Sequence, residues 1–450
     1  MFVFLLMLGL LAGCERPDPE AVVVTTPLPS LEPPLLVTRT GETAVLATPL
    51  PGETAVAALP GYAGIPTPDP PHAVVTGGGA AYATHTVNAG ETLGYIAQLY
   101  GSSIEELQGI NQLSDTNLLR VGQSLLVPTQ SGQVGPDFKI IPDSELVYGP
   151  AAAGFDVRAV AQRYGGYLLR YQEAVEGQPL GGPEIVALVA HRYSVNPRLL
   201  LAALEYRAGW LTQPAAAELA YPMGYVDPRA EGLYKQLSWA ANWLNWGFYG
   251  RAEAGITSFL VGEATRLAYA PTINHGTAGV QTMLGAHPSA SLAQWQIDVG
   301  PDGLFATYGR LFGNPFAYTV DPLWPAGLAQ PALQLPWSSA ETWYFTGGPH
   351  GGWAGGSAWA ALDFAPPSEQ FGCIQSDYWV TSMADGVVTR SDFGAVVVDM
   401  DGDGYAGTGW ALLYMHVETR DRVPVGTWLQ TGDRIGHPSC EGGFSGGTHL

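Results

Sequence analysis

Four side chains between residues 350 and 450 have the types and order needed for hydrolytic chemistry: His350, Asp363, His416 and His449. Imidazole and carboxylate groups exchange protons near neutral pH, and both are ordinary donors to a borderline cation such as zinc. Any one of them alone is more often structural, so the weight rests on their joint order and setting. His350 and Asp363 flank a Gly-rich, Trp-containing stretch, His416 follows the strand-like run Leu412-Leu413-Tyr414-Met415, and His449 sits in Gly446-Gly447-Thr448-His449-Leu450.

That succession, over Trp343 to Leu450, resembles the lysostaphin-type (LytM, β-lytic) zinc metallopeptidases, which cut stem peptides and cross-bridges of peptidoglycan. The resemblance implies one zinc ion in the complete catalytic domain, with His350 and Asp363 as metal ligands. The long gap between them suits the β-lytic branch better than the short His-x-x-x-Asp of the lysostaphin branch. His416 and His449 align with the two non-ligand histidines, which assist the water and stabilise the oxyanion. The family closes its motif with His-x-His, so the third ligand is expected at the residue after Leu450. A fragment of a longer gene product is therefore expected, in preference to a natural, inactive end at Leu450.

These residues need a scaffold of short strands. Val396-Val397-Val398 and Ala411-Leu412-Leu413-Tyr414 read as the arms of a hairpin, and Pro424-Val425-Gly426 with Gln430 to Gly436 reads as turn-rich β structure. Between the arms, Asp399, Asp401, Asp403 and Gly404 copy the first half of an EF-hand loop, but Trp410 stands where the bidentate Glu belongs. An acidic hairpin turn is the preferred reading over a calcium site. His437, before Pro438, is expected in an exposed turn, and His275 and His287 have no evident partners.

At 450 residues the chain is long enough for two or three cores. Its formal net charge of −21 disfavours nucleic acid and anionic lipid head groups as partners. Phe2 to Leu11 is an apolar run too short to span a bilayer and placed where a signal h-region belongs. Leu11-Ala12-Gly13-Cys14 then matches the lipoprotein processing box, so residues 1–14 are expected as a signal peptide and Cys14 as the lipidated residue. That predicts an extracytoplasmic, lipid-anchored protein of the cell envelope; an ordinary cleaved signal is the alternative. Of three cysteines, Cys373 and Cys440 remain, and in an exported protein a disulfide between them is favoured over metal ligation. Residues 15–83, rich in Pro, Thr and Ala, read as a disordered tether.

His85 to Pro128 resembles a LysM carbohydrate-binding module along its whole length, within expected limits of 84–129. A strand at His85-Thr86-Val87, a helix with Leu93, Ile96, Ala97 and Tyr100 on one face, a second helix opened by Ser103 and Glu106, and a closing strand Ser124 to Pro128 give a βααβ pattern. The resemblance implies that an N-acetylglucosamine-containing glycan lies against Gly90, Glu91, Thr92, Asn111, Gln112 and Leu113. The alternative for these six is turn and capping work alone.

Residues 135–331 read as an all-α domain. Asn196-Pro197 is an N-cap and first-turn pair, Leu200, Leu201, Leu204 and Ala208 share a face, and Gly209 stops the helix. The run through Glu205-Tyr206-Arg207 weakly resembles the acid-bearing helix of lysozyme-like transglycosylases. The acid's position, however, aligns with Arg207, and Glu205 lies about 200° around the helix from it. A spacer or glycan-binding role is preferred to glycan cleavage. The whole is read as a multidomain α+β protein: disordered Pro-rich tether, βααβ LysM module, all-α middle domain, and an antiparallel β-rich metallopeptidase domain at 335–450. The rival is a non-catalytic peptidoglycan-binding scaffold, or an activator of another wall hydrolase, with a degenerate peptidase domain.

Overall fold

The computed structural model describes residues 82–87, 91–100, 102, 104–113, 119–120, 122–128, 133–216, 218–252, 256–262, 265–323, 327–351, 359–368, 370–443 and 445–450. The signal segment with Cys14, the tether as far as residue 81, Gly90 and Ser103 lie outside the described residues, as do the side chains of Glu106 and His350; the last two residues of the expected tether, Tyr82 and Ala83, instead belong to a strand. Among the described residues no helix is long and apolar enough to cross a membrane.

The first region is a βααβ unit of β1 (Tyr82–Thr86), α1 (Leu93–Leu99), α2 (Ile104–Asn111) and β2 (Ser124–Pro128). β1 and β2 are antiparallel, from Tyr82 opposite Pro128 to Thr86 opposite Ser124. Strand alternation sends Leu125 and Val127 inward and leaves Leu126 exposed. The inward pair meets Val87, Leu93, Ile96, Ala97 and Leu107 in one small core.

The second region, residues 133–323, is mainly helical. It contains α3 (Val157–Tyr164), β3 (Gln172–Val175), β4 (Gln178–Gly181), α4 (Gly182–Tyr193), α5 (Pro197–Ala208), α6 (Leu233–Ala252), β5 (Ser258–Val261), β6 (Thr265–Ala268), α7 (His275–Gly285), α8 (Leu292–Asp298) and α9 (Leu304–Phe312). α5 begins and ends where its sequence demands: the Asn196 side chain accepts from the Arg198 N–H, and Gly209 turns left-handed at φ 68°. The all-α expectation is corrected by two hairpins, β3–β4 and β5–β6. Glu176 and Gly177 join the first with φ of 50° and 80°, and two consecutive positive φ values match the twist of paired strands. α6 and α7 approach closely because Gly247 and Gly279 lack side chains. A Cβ at Gly247 would stand 2.7 Å from the Ala278 carbonyl oxygen, and one at Gly279 would stand 2.6 Å from that of Leu244.

At the centre of this region Glu145 is fully buried. It accepts from Arg198 Nε at 3.0 Å and Nη2 at 2.9 Å, from Asn196 at 3.1 Å, and from the Tyr308 hydroxyl. A buried ion pair of this kind is tolerated because its lone pairs and protons are nearly all satisfied.

The third region, residues 327–450, is built of short antiparallel strands. β7 (Tyr344–Gly351) pairs with β8 (Trp359–Ala365), and β9 (Val380–Thr381) pairs with β14 (Arg434–Gly436). A four-stranded sheet runs in the order β12 (Ala411–Tyr414), β11 (Ala395–Asp399), β10 (Gly386–Asp392), β13 (Trp428–Leu429). The expected hairpin arms are β11 and β12, with Val396 opposite Tyr414 and Val398 opposite Leu412. Val388, Val396, Val398, Tyr414, Leu429 and Ile435 form the core with Trp337 and Trp343, whose rings stack at 5.1 Å.

Candidate active site

β8 carries Asp363 one residue before Phe364, and Phe364 exchanges both backbone hydrogen bonds with Leu450, at 2.9 and 2.8 Å. Phe364 and Leu450 both turn into the core. By strand alternation Asp363 and His449 then share the opposite face. Asp363 is half-buried, and its carboxylate lies over the Gly347 backbone, where a Cβ would stand 2.7 Å from Oδ2. His350 lies near the end of β7, the strand paired with β8.

His416 follows β12 in a left-handed conformation, φ 62°, which is uncommon for a residue with a side chain. Its surroundings fix it there. The His416 carbonyl accepts from the Ser439 N–H at 2.7 Å and the Ser439 hydroxyl at 2.8 Å, and the next N–H, of Val417, donates to Gly394 at 2.9 Å. Gly394 is the second residue of the β10–β11 turn. With φ of 44° and 70°, Phe393 and Gly394 let the Glu441–Gly442 backbone pack directly on that turn. The Glu441 carbonyl in turn receives His416 Nδ1 at 2.7 Å. Strain held in place by several contacts is a common property of working sites.

The rings of His416 and His449 lie 4.4 Å apart, centroid to centroid. His449 Nδ1 meets the Gly447 carbonyl at 2.7 Å and Ser445 Oγ at 3.2 Å. A carbonyl can only accept, so both Nδ1 atoms carry protons, and in its neutral form either ring has its lone pair at Nε2. Imidazoles with the tautomer fixed through Nδ1 are suited to taking and returning a proton at Nε2.

A cleft of about 860 Å³ opens beside His449, lined among others by Tyr344, Thr346, Pro366, Phe371, Ile374 and Thr448. Cys373 and Cys440 are joined in a disulfide, Cα atoms 5.8 Å apart. It ties the 372–374 segment, whose backbone bonds Thr448 at 2.6 to 3.1 Å, to the residue before Glu441. The bonding roles of Ser439, Glu441 and Ser445 were not legible in the sequence, because backbone carbonyls and small hydroxyls carry no signature of their own.

His437 departs from expectation. It is 3 % exposed rather than surface-lying, with Nδ1 on the Tyr378 carbonyl at 2.8 Å, Nε2 3.4 Å from Asp421, and its ring 4.0 Å from that of Trp379. His275 and His287 also have partners: Arg251 lies 3.2 Å from His275, and His287 bonds the Gly224 carbonyl. Burial, with Arg207 second, holds the His287 pKa below its usual value. Glu205 accepts from the N–H groups of Leu211 and Thr212 at 2.9 and 3.1 Å, and from the Thr212 hydroxyl. Arg207 pairs with Asp298 at 3.3 Å. The carboxylate is thus a cap for the turn after α5, and the aligned position holds an engaged guanidinium.

In the βααβ unit, Glu91 bonds His85 Nε2 at 2.8 Å. Asn111 clamps β2, donating to Leu126 O at 2.8 Å and to Leu107 O at 2.9 Å and accepting from Leu126 N at 2.6 Å. Leu113 exchanges bonds with Gln108, its N–H reaching the Gln108 carbonyl at 3.0 Å. Thr92 and Gln112 are exposed, Gln112 with φ 52°.

Comparison with known proteins follows the same division. Residues 85–128 match the LysM domain, and residues 139–325 match the N-terminal domain of LasA. Over 328 residues the chain is 26 % identical to protease LasA of Pseudomonas aeruginosa (strain UCBPP-PA14), covering 68 % of this chain and 71 % of that protein. Over 123 residues it is 33 % identical to the N-acetylmuramoyl-L-alanine amidase XlyA of Bacillus subtilis (strain 168), covering 26 % and 41 % respectively. Among solved structures, a novel M23 metalloprotease, pseudoalterin from the deep sea, is 30 % identical over 27 % of this chain and 68 % of its own, with a TM-score of 0.23. The chain thus contains a LysM domain and, beyond it, is similar at low identity to peptidases of the LasA kind.

Proposed function

We propose that this protein is a peptidoglycan zinc metalloendopeptidase, held to the envelope by a lipid on Cys14 and to the wall by its LysM domain. The observation that carries the reading is the His416–His449 pair, with rings 4.4 Å apart and each Nδ1 on a backbone carbonyl. The domain limits follow the sequence reading except where β1 takes Tyr82 and Ala83 into the LysM unit: signal 1–14, tether 15–81, LysM 82–129, middle domain 135–331 and peptidase domain 335–450.

The donor set fits zinc. Asp363 offers a half-buried carboxylate, and β7, which bears His350, is paired to its strand. His350 and Asp363 would hold the ion. When bound, zinc supplies a Lewis acid that acidifies a water and polarises a carbonyl. The chain's own groups do the rest. The cleft admits an extended peptide, Phe371 and Tyr344 offer apolar surface to it, and His416 and His449 accept and return a proton at Nε2. The similarity to a wall amidase supports peptidoglycan as the partner, with LysM raising local substrate concentration.

The test is muropeptide cleavage by the zinc-loaded protein. His350→Ala and Asp363→Ala are each expected to abolish cleavage and lower bound zinc from about one per chain. Cleavage unchanged in either variant overturns the ligand assignment; zinc-free, cleavage-free protein that still binds peptidoglycan establishes the non-catalytic scaffold instead.

A further inference from the structure

The connection from β11 to β12 carries Asp399, Asp401 and Asp403, and one carboxylate oxygen of each lies within 4.8 Å of the others. Acidic turns on a surface often show such a grouping, so proximity decides nothing by itself. Asp399 supplies the deciding observation. It ends β11, opposite Val387 on one side and Ala411 on the other, and it is fully buried. Its Oδ2 accepts the Gly404 N–H at 2.8 Å, which turns the carboxylate into the loop. Its Oδ1 is equally buried and has no hydrogen-bond donor. Among the described residues no Lys or Arg pairs with any of the three aspartates. A buried carboxylate oxygen with no donor is costly, and two acidic neighbours raise that cost.

We propose that Asp399, Asp401 and Asp403 hold a hard divalent cation of the calcium class, locking the β11–β12 connection. Oxygens bound to one calcium ion at about 2.4 Å can be no more than about 4.8 Å apart, and these three lie within that limit of one another. The bare Oδ1 of Asp399 gains its missing partner, and the exposed Asp401 and Asp403 close the outer side. Trp410 replaces the seven-coordinate loop's bidentate Glu, so water completes the shell and the affinity falls in the range of extracellular modules, roughly 0.1 to 1 mM. This replaces the plain acidic turn expected from the sequence. The site uses neither His350 nor Asp363, and it steadies the strand that runs into His416.

Terbium(III) is a direct probe, because Trp428 packs on the loop, its ring 3.1 Å from where a Gly402 Cβ would stand, and can sensitise a lanthanide bound there. With the full 450-residue chain, excitation of tryptophan is expected to give terbium emission that calcium displaces, and calcium at about 10 mM is expected to raise Tm by several degrees. In Asp401→Asn/Asp403→Asn, which keeps both side chains as acceptors and leaves buried Asp399 in place, emission falls by about tenfold or more and the calcium-dependent Tm rise is lost. Equal emission in the two proteins, or a folded wild type whose Tm does not respond to calcium, overturns the proposal. Neither readout depends on peptidase activity.

Discussion

Replacing Cys373 and Cys440 together by serine removes a cross-link between residues 67 apart in sequence. In the unfolded chain that bond closes a long loop, and the chain-entropy relation for a loop of this length gives roughly 4 kcal/mol at 25 °C. For a unit of this size about 1 kcal/mol corresponds to roughly 4 °C, so Tm for the unfolding of residues 327–450 should fall by about 15 °C. The local effect should exceed a general loosening. Cys440 adjoins Glu441, whose carbonyl holds His416, while Gly372 and Ile374, on either side of Cys373, bond the Thr448 that precedes His449. The assay is thermal and urea unfolding of the double-serine and parent proteins. A larger urea m-value in the variant accompanies the fall, since its unfolded chain exposes more surface. A Tm drop below about 5 °C would refute the reasoning, showing that the hydrogen bonds around Thr448 and Glu441 hold these segments without the cross-link.

Gly347→Ala places a methyl carbon 2.7 Å from Asp363 Oδ2 and must displace that carboxylate; zinc affinity should fall roughly 10- to 100-fold by chelator competition, and an unchanged value counts against Asp363 as a ligand. Asn111→Ala removes three backbone hydrogen bonds from the LysM unit and should cost about 1–3 kcal/mol in urea unfolding, whereas exchange of exposed Thr92 or Gln112 should change glycan binding without that loss. His287 is held neutral by burial first and Arg207 second, so the unfolded chain takes up a proton more readily than the folded one. Its contribution is therefore present above the unfolded value near pH 6.5 and is lost as pH falls toward the lower folded value; His287→Gln should flatten that part of a stability profile, and an identical slope in both proteins contradicts it.

Local chemistry is legible wherever one residue type does one job. Asn196-Pro197 and Gly209 bound α5 because a cap, a proline and a left-handed glycine act within one turn. The β11 and β12 arms show as β-branched and apolar runs, and the βααβ unit shows through its helical apolar spacing. The order of His350, Asp363, His416 and His449 carries the family resemblance on which the proposed chemistry rests. Tertiary structure decided the rest. Neither the Glu176-Gly177 turn nor the second hairpin announces itself against a helical background, and His437 is buried because Tyr378 and Trp379, far away in sequence, come to meet it. The same holds for the tautomers of His416 and His449, set by carbonyls of Glu441 and Gly447, and for the bare oxygen of Asp399. A sequence specifies which groups are present and their local backbone preferences. Desolvation and hydrogen-bond partnership depend on long-range packing, which exists only once distant segments are folded together.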